Sequence, residues 1–223
     1  MRYALLVAGS FFFVASAQAA MLDPSDYDAA RTLPPPPAQD SARTQAEMEE
    51  LRGYAASASA ERKAAATRDA KDETPDIFNA AIGFDIAATP QTQKLLQIVA
   101  DEEEPDTKVA KAYFHRLRPY SVEPGLHTCT PVKPGKAANS YPSGHATLAF
   151  SMGVVLAQVL PDKARAILAR SAEYAESRLI CGVHYRSDIV AGQQFGTLIA
   201  LKLMEKPAFQ QQMAAAQAEL KDR

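Results

Sequence analysis

Two apolar stretches set the terms for any fold of this chain. Leu148 to Leu160 is interrupted by Ser151 and Gln158, and Ile189 to Met204 carries Gln193, Gln194 and Lys202. Both are too short or too polar to cross a bilayer, which takes about 20 consecutive apolar residues. They read as helices buried in a protein core. No segment alternates apolar and polar residues for long enough to make a strand. The expected fold is therefore all-α, and 223 residues are enough for a sizeable core.

The N-terminus reads as an export signal. Arg2 precedes the apolar run Ala4 to Val14, and Ala17-Gln18-Ala19 fits a small-x-small cleavage site. Residues 1–19 are expected to leave, with cleavage near Ala19, and no membrane span is expected to remain. Residues 20–40 form a proline-rich arm in which Pro34 to Pro37 are consecutive, favouring an extended polyproline conformation. It reads equally as an arm packed on the domain or as a flexible leader. Residues 41–223 are expected to make one domain. Export permits a disulfide between Cys129 and Cys181, which would contribute roughly 4 kcal/mol by closing its loop. Two free thiols fit equally well. No CxxC occurs and His127 and His184 are isolated from one another, so no metal site is expected.

Composition narrows the partners. Lysine and arginine total 24 against 26 acidic residues, a net charge of −2. Nucleic-acid binding draws on a basic excess, so none is expected. Any phosphate chemistry must rest on a few placed cations.

Punctuation gives the helices. Ala42 to Lys71 is rich in helix formers, with Gly53 as a weak spot and a candidate break. Gln91 to Ala100 is a short helix. Asp101 to Asp106, interrupted by Pro105, is a solvated helix start. Thr107 to Leu117 is the next helix, closed by Pro119, and Ser121 to Tyr141 is loop. Gly144–Leu160, Lys163–Ile180, His184–Glu205 and Pro207 to about Leu220 complete the series.

Three clusters carry chemistry. In Lys111-Ala-Tyr-Phe-His-Arg-Leu-Arg118-Pro119 the two outer cations are seven apart, on one face if the segment is helical. Tyr141-Pro142-Ser143-Gly144-His145 leads into an apolar helix. Its free N–H groups and dipole suit an anion, which Ser143 can also donate to and Gly144 lets approach. In Ser177-Arg178-Leu-Ile-Cys-Gly-Val-His184-Tyr-Arg-Ser-Asp188, His184 and Asp188 are four apart and can meet on a helix. A carboxylate on one imidazole nitrogen frees the other as nucleophile or base, and Arg178 offers a planar fork to phosphate oxygens. Alone, each cluster also fits a plain surface or capping role.

Together they give Lys-x6-Arg-Pro, Pro-Ser-Gly-His and Ser-Arg-x5-His-x3-Asp, in that order. This set resembles the phosphatidic acid phosphatase type 2 superfamily, which joins acid phosphatases, lipid phosphatases and vanadium haloperoxidases. Leu33-Pro34-Pro35-Pro36-Pro37, Arg68-Asp69-Ala70 and Ile180-Cys181-Gly182 are similar to bacterial class A non-specific acid phosphatases, so the likeness covers most of the chain. It implies a compact helical bundle and a periplasmic acid phosphatase acting on small phosphate monoesters, with phosphotransfer to alcohols as a further capacity. By position it implies His184 as nucleophile, Asp188 as its orienting group and His145 as general acid. Lys111, Arg118, Arg178, Ser143 and Gly144 would hold the phosphoryl oxygens, and no metal or other cofactor is implied. A homo-oligomer stays open. Arg186 follows Tyr185 where many relatives carry a smaller polar residue, which puts a further cation near the site or on its rim. His115 and His127 read as structural. The competing activities are vanadate-dependent halide oxidation and phosphate binding without catalysis.

Overall fold

The computed structural model describes residues 20–23, 28–132 and 134–221. The expected leader, residues 1–19, lies outside them, as do residues 24–27 of the arm. Among the described residues all regular structure is helical. The longer helices are α1 (Ala42–Ser57), α2 (Ala60–Asp69), α3 (Pro90–Phe114), α4 (Gly144–Val159), α5 (Ala164–Ile180), α6 (Arg186–Met204) and α7 (Pro207–Leu220). None is long and apolar enough to cross a membrane.

Helix α4 is apolar almost all round, and a helix of that kind must be surrounded. It packs against α6, α5 and α3, while α7 closes on α3 and α2 lies on α5. Met152, Val155 and Leu156 of α4 are fully buried with Leu95, Leu96 and Val99 of α3 and Phe195 and Ile199 of α6. Two glycines bring α6 close to α4. A Cβ on Gly196 would lie 2.2 Å from the Thr147 carbonyl oxygen, and one on Gly192 would lie 2.6 Å from that of Ser143. Backbone meets backbone there, and the N-termini of α4 and α6 are held side by side. The Ser143 N–H donates to the Asp188 carbonyl at 3.0 Å.

Three expected boundaries shift, each for a local reason. Gly53 lies inside α1, and the break falls at Ala58, whose backbone is extended before Ser59 caps α2 by accepting from the Arg62 N–H. A serine cap ends one helix and starts another more effectively than one glycine among good helix formers. The two helices expected around the acidic run are one helix of 25 residues with Pro105 inside it. Pro105 and Asp101 are both exposed, so water can serve the carbonyl that the proline leaves without a donor. The acidic run is also not uniformly solvated. Glu104 pairs with Lys108 at 2.8 Å, Glu102 accepts from the Met21 and Leu22 N–H groups, and Glu103 is buried. Lastly, α3 stops at Phe114, where His115 turns left-handed with φ 47°, so Arg118 is not on a helix with Lys111.

The arm lies against this bundle. The Tyr141 hydroxyl donates to the Pro34 carbonyl at 2.6 Å, and the Gln39 amide donates to the Tyr185 hydroxyl at 3.2 Å. Leu22 and Leu33 are buried in the main core. Cys129 and Cys181 are joined, with their Cα atoms 4.9 Å apart. This fastens the long loop to the end of α5. Beside the bridge Gly182 has φ +59°, and a Cβ there would strike the His127 carbonyl oxygen at 2.5 Å.

Candidate active site

The three sequence clusters come together at the N-termini of α4 and α6. Lys111, near the end of α3, donates to the carbonyls of Pro142 at 2.5 Å and Asn139 at 3.1 Å. Arg118 reaches the same Asn139 carbonyl at 3.1 Å through Nη2 and the Val183 carbonyl at 3.3 Å through Nη1. The two cations therefore meet across the loop that precedes α4. Both expected partners are in place, although by a turn in the chain rather than by a shared helix face.

His184 is not in a helix. It sits before α6, with Tyr185 at the N-cap and Asp188 in the first turn. The Asp188 carboxylate folds back as a cap, and Oδ2 accepts from the Tyr185 N–H at 2.8 Å and the Ser140 hydroxyl at 2.6 Å. His184 Nδ1 lies 3.3 Å from the same oxygen. Oδ1 accepts from Arg116 Nη1 at 2.7 Å. With Nδ1 facing the carboxylate, Nε2 is the nitrogen left for chemistry. Burial and the charges of Arg118, Lys111 and Arg178 hold the His184 imidazole well below its ordinary pKa, which favours its neutral form.

Ser143 caps α4, its Oγ accepting from the Ala146 N–H at 3.4 Å. The N–H groups of Gly144 and His145 precede the first bonds within the helix. A Cβ on Gly144 would make ordinary 3.6 Å contacts with Lys111 and Thr107, so packing within the protein does not require glycine there. His145 stacks on Tyr174, ring centroids 5.6 Å apart, and its Nδ1 lies 3.0 Å from Glu73 Oε1. Burial, then Arg178, His184, Arg118 and Lys111, hold it well below its ordinary pKa.

The cations are strained by one another. Burial and Arg118 push the Lys111 ammonium down to about 7. Burial takes Arg178 down to about 10, with Arg118 adding to the effect. Among the described residues, Arg118 Nε, Arg178 Nε and Nη1, and His145 Nε2 are buried without a hydrogen-bond partner. Buried donors are nearly always satisfied in folded proteins. Several such nitrogens lie beside the N-terminus of α4, where free N–H groups and the helix dipole favour an anion.

The profile of the PAP2 superfamily matches residues 95–211, a span that includes Lys111, Arg118, Ser143, Gly144, His145, Arg178, His184 and Asp188. The chain belongs to the PAP2 superfamily. It is 34% identical over 200 residues to a protein named non-specific acid phosphatase from Salmonella typhi, covering 86% of this chain and 79% of the relative. An acid phosphatase of Zymomonas mobilis is 33% identical, over 71% of this chain and 62% of that protein. The fold matches a transmembrane PAP2 type phosphatidylglycerolphosphate phosphatase of Bacillus subtilis with a TM-score of 0.55 at 16% identity, over 78% of this chain and 87% of that one.

The sequence motifs do not mark every neighbour of this cluster. Arg116 is buried with its guanidinium 4.0 Å above the Tyr185 ring, and it bonds Asp188, Ser187 and Glu47. Glu47 on α1 accepts from the Ser187 N–H at 3.0 Å. Glu73 and Ser140 complete the set. Arg116 stands inside the first motif but off its fixed positions, so the spacing passes over it. Arg186 is not a free cation of the site. Glu50 and Glu176 neutralise it, at 2.5 and 3.0 Å, and the Tyr54 hydroxyl accepts a further bond from it. His115 and His127 are exposed.

Proposed function

We propose that this PAP2 phosphatase is an exported acid phosphatase that hydrolyses small phosphate monoesters through a phosphohistidine on His184. The supporting observation is the set of unpartnered nitrogens on Arg118, Arg178 and His145, gathered with Lys111 at the start of α4. A phosphoryl group has three equatorial oxygens, and its transfer calls mainly for positioning and charge stabilisation. The Lys111, Arg118 and Arg178 cations, the Ser143 hydroxyl and the first N–H groups of α4 would hold those oxygens.

In the first step the lone pair on His184 Nε2 attacks phosphorus. The P–O bond breaks, and its electron pair leaves with the alcohol oxygen, which takes the proton from His145. Asp188 stabilises the charge that grows on His184. In the second step His145 takes a proton from water, the water oxygen attacks phosphorus, and the P–N bond returns its electrons to His184. An alcohol in place of water would give phosphotransfer. The cationic form of the pocket is complete only on the acid side of about 7, where Lys111 is protonated.

The leading apolar run and the arrangement of Cys129 and Cys181 support export to the periplasm. The assay that tests the reading is turnover of a phosphomonoester in mild acid, with and without chelator, beside halide oxidation in vanadate and peroxide. The expected result is metal-independent phosphate release. Halide oxidation without phosphatase turnover would overturn it.

A further inference from the structure

His145 stands in a setting that works against the role proposed for it. A leaving-group acid must carry a proton, yet Arg178 of α5, Lys111 of α3, Arg118 of the following segment and His184 before α6 all face this imidazole and oppose its charge. Glu73 meets the imidazole at Nδ1. Its Oε1 is 3.0 Å from Nδ1, and the glutamate side chain is 63% exposed while the histidine is 15% exposed. The carboxylate is turned toward the cluster all the same, since its charge is felt by Tyr174 and Arg178 on α5 and by Glu103 on α3.

The loop that carries Glu73 is fastened on both sides. Asp69, at the end of α2, accepts from Arg170 Nη2 at 2.5 Å and from the Ser177 hydroxyl at 2.5 Å. The Asp72 carboxylate accepts from the Thr74 N–H at 3.0 Å, which closes the turn over Glu73. The Tyr174 hydroxyl donates to the Asp72 carbonyl, while the Tyr174 ring stacks on His145. One tyrosine thus supports both the face of the imidazole and the loop that reaches its edge.

We propose that Glu73 is the positioning residue of the leaving-group acid: its carboxylate binds the Nδ1 edge of His145, aims Nε2 into the pocket and supplies counter-charge to the imidazolium. This rests on the assignment of His145 as the acid. A carboxylate that holds one ring nitrogen fixes the ring's orientation and favours its protonated form. It does for His145 what Asp188 does for His184, but from the solvent side, where the negative charge is screened and its effect is modest.

The test is the single-turnover rate of phosphoenzyme formation in Glu73→Gln, measured from pH 4 to 8 with an alkyl phosphate and with 4-nitrophenyl phosphate. His145→Ala and Glu73→Asp are run beside it. Glu73 is largely exposed, so its two variants should keep the fold, and a melting curve on each variant, His145→Ala included, checks this. With the alkyl phosphate the rate should fall about tenfold near pH 6 and its basic limb should move down by roughly half a pH unit or more. The loss with nitrophenyl phosphate should be several-fold smaller, and Glu73→Asp should recover part of the rate. Equal losses with both substrates and an unmoved limb would overturn the proposal while leaving His145 as the acid. If His145→Ala itself shows no dependence on the leaving group, the acid assignment falls and the proposal falls with it.

Discussion

Four donors converge on the Asp188 carboxylate, from Arg116, Ser140, Tyr185 and His184, at 2.6 to 3.3 Å. Arg116 is itself shared between Asp188 and Glu47. Removing one member of a buried, hydrogen-bonded ion pair leaves the other uncompensated, at a typical cost of about 3–5 kcal/mol. Arg116→Met should therefore lower stability by that order and slow turnover even where the protein remains folded. Arg178→Met should do the reverse to stability. Its guanidinium is buried with unpartnered nitrogens and opposed by Arg118, so replacement should leave the melting temperature unchanged or higher while costing several kcal/mol of transition-state stabilisation. Melting curves and kcat/KM on both variants check the contrast, and equal destabilisation would contradict it. The motif spacing makes Arg118, Arg178, His145 and His184 legible in the sequence. Arg116 and Glu73 are not, because their partners Glu47 and His145 lie some seventy residues away and only the fold brings them together.

At the level of elements, boundaries at proline or glycine were legible. α7 begins at Pro207 and α5 ends before Gly182, as their flanks predict. The continuous helix α3 was not, because an exposed proline is tolerated where solvent can serve the freed carbonyl. That continuity carries Glu103, Thr107 and Lys111 down one face toward the site. The Thr107 hydroxyl bonds Glu103, whose burial pushes its pKa up to about 8 from an ordinary 4.5. The folded state holds this proton more tightly than the unfolded chain does. Its contribution to stability is complete below about 4.5 and is lost as pH rises from there through about 8. Glu103→Gln should remove that fall, so wild type and variant should diverge in denaturant midpoint toward pH 8. Parallel profiles would show that Glu103 does not titrate in this window.

Across the whole molecule, the buried helix α4 organises everything that matters for the site. The apolar run of α4 is readable in the sequence as core. What sequence could not give was the convergence itself: the pairing of α4 with α6 through Gly192 and Gly196, and the loop that sets Lys111 and Arg118 on the Asn139 carbonyl. This architecture puts two imidazoles into one cationic pocket in different company, His184 against Asp188 and His145 against Glu73. The central claim is that the first is the nucleophile and the second moves the proton. Rapid acid-free quench with a labelled phosphomonoester tests it most directly. His145→Ala should accumulate an acid-labile phosphoenzyme, because the step that activates water is lost, and His184→Ala should trap no label. Covalent phosphate on His184→Ala would contradict the account.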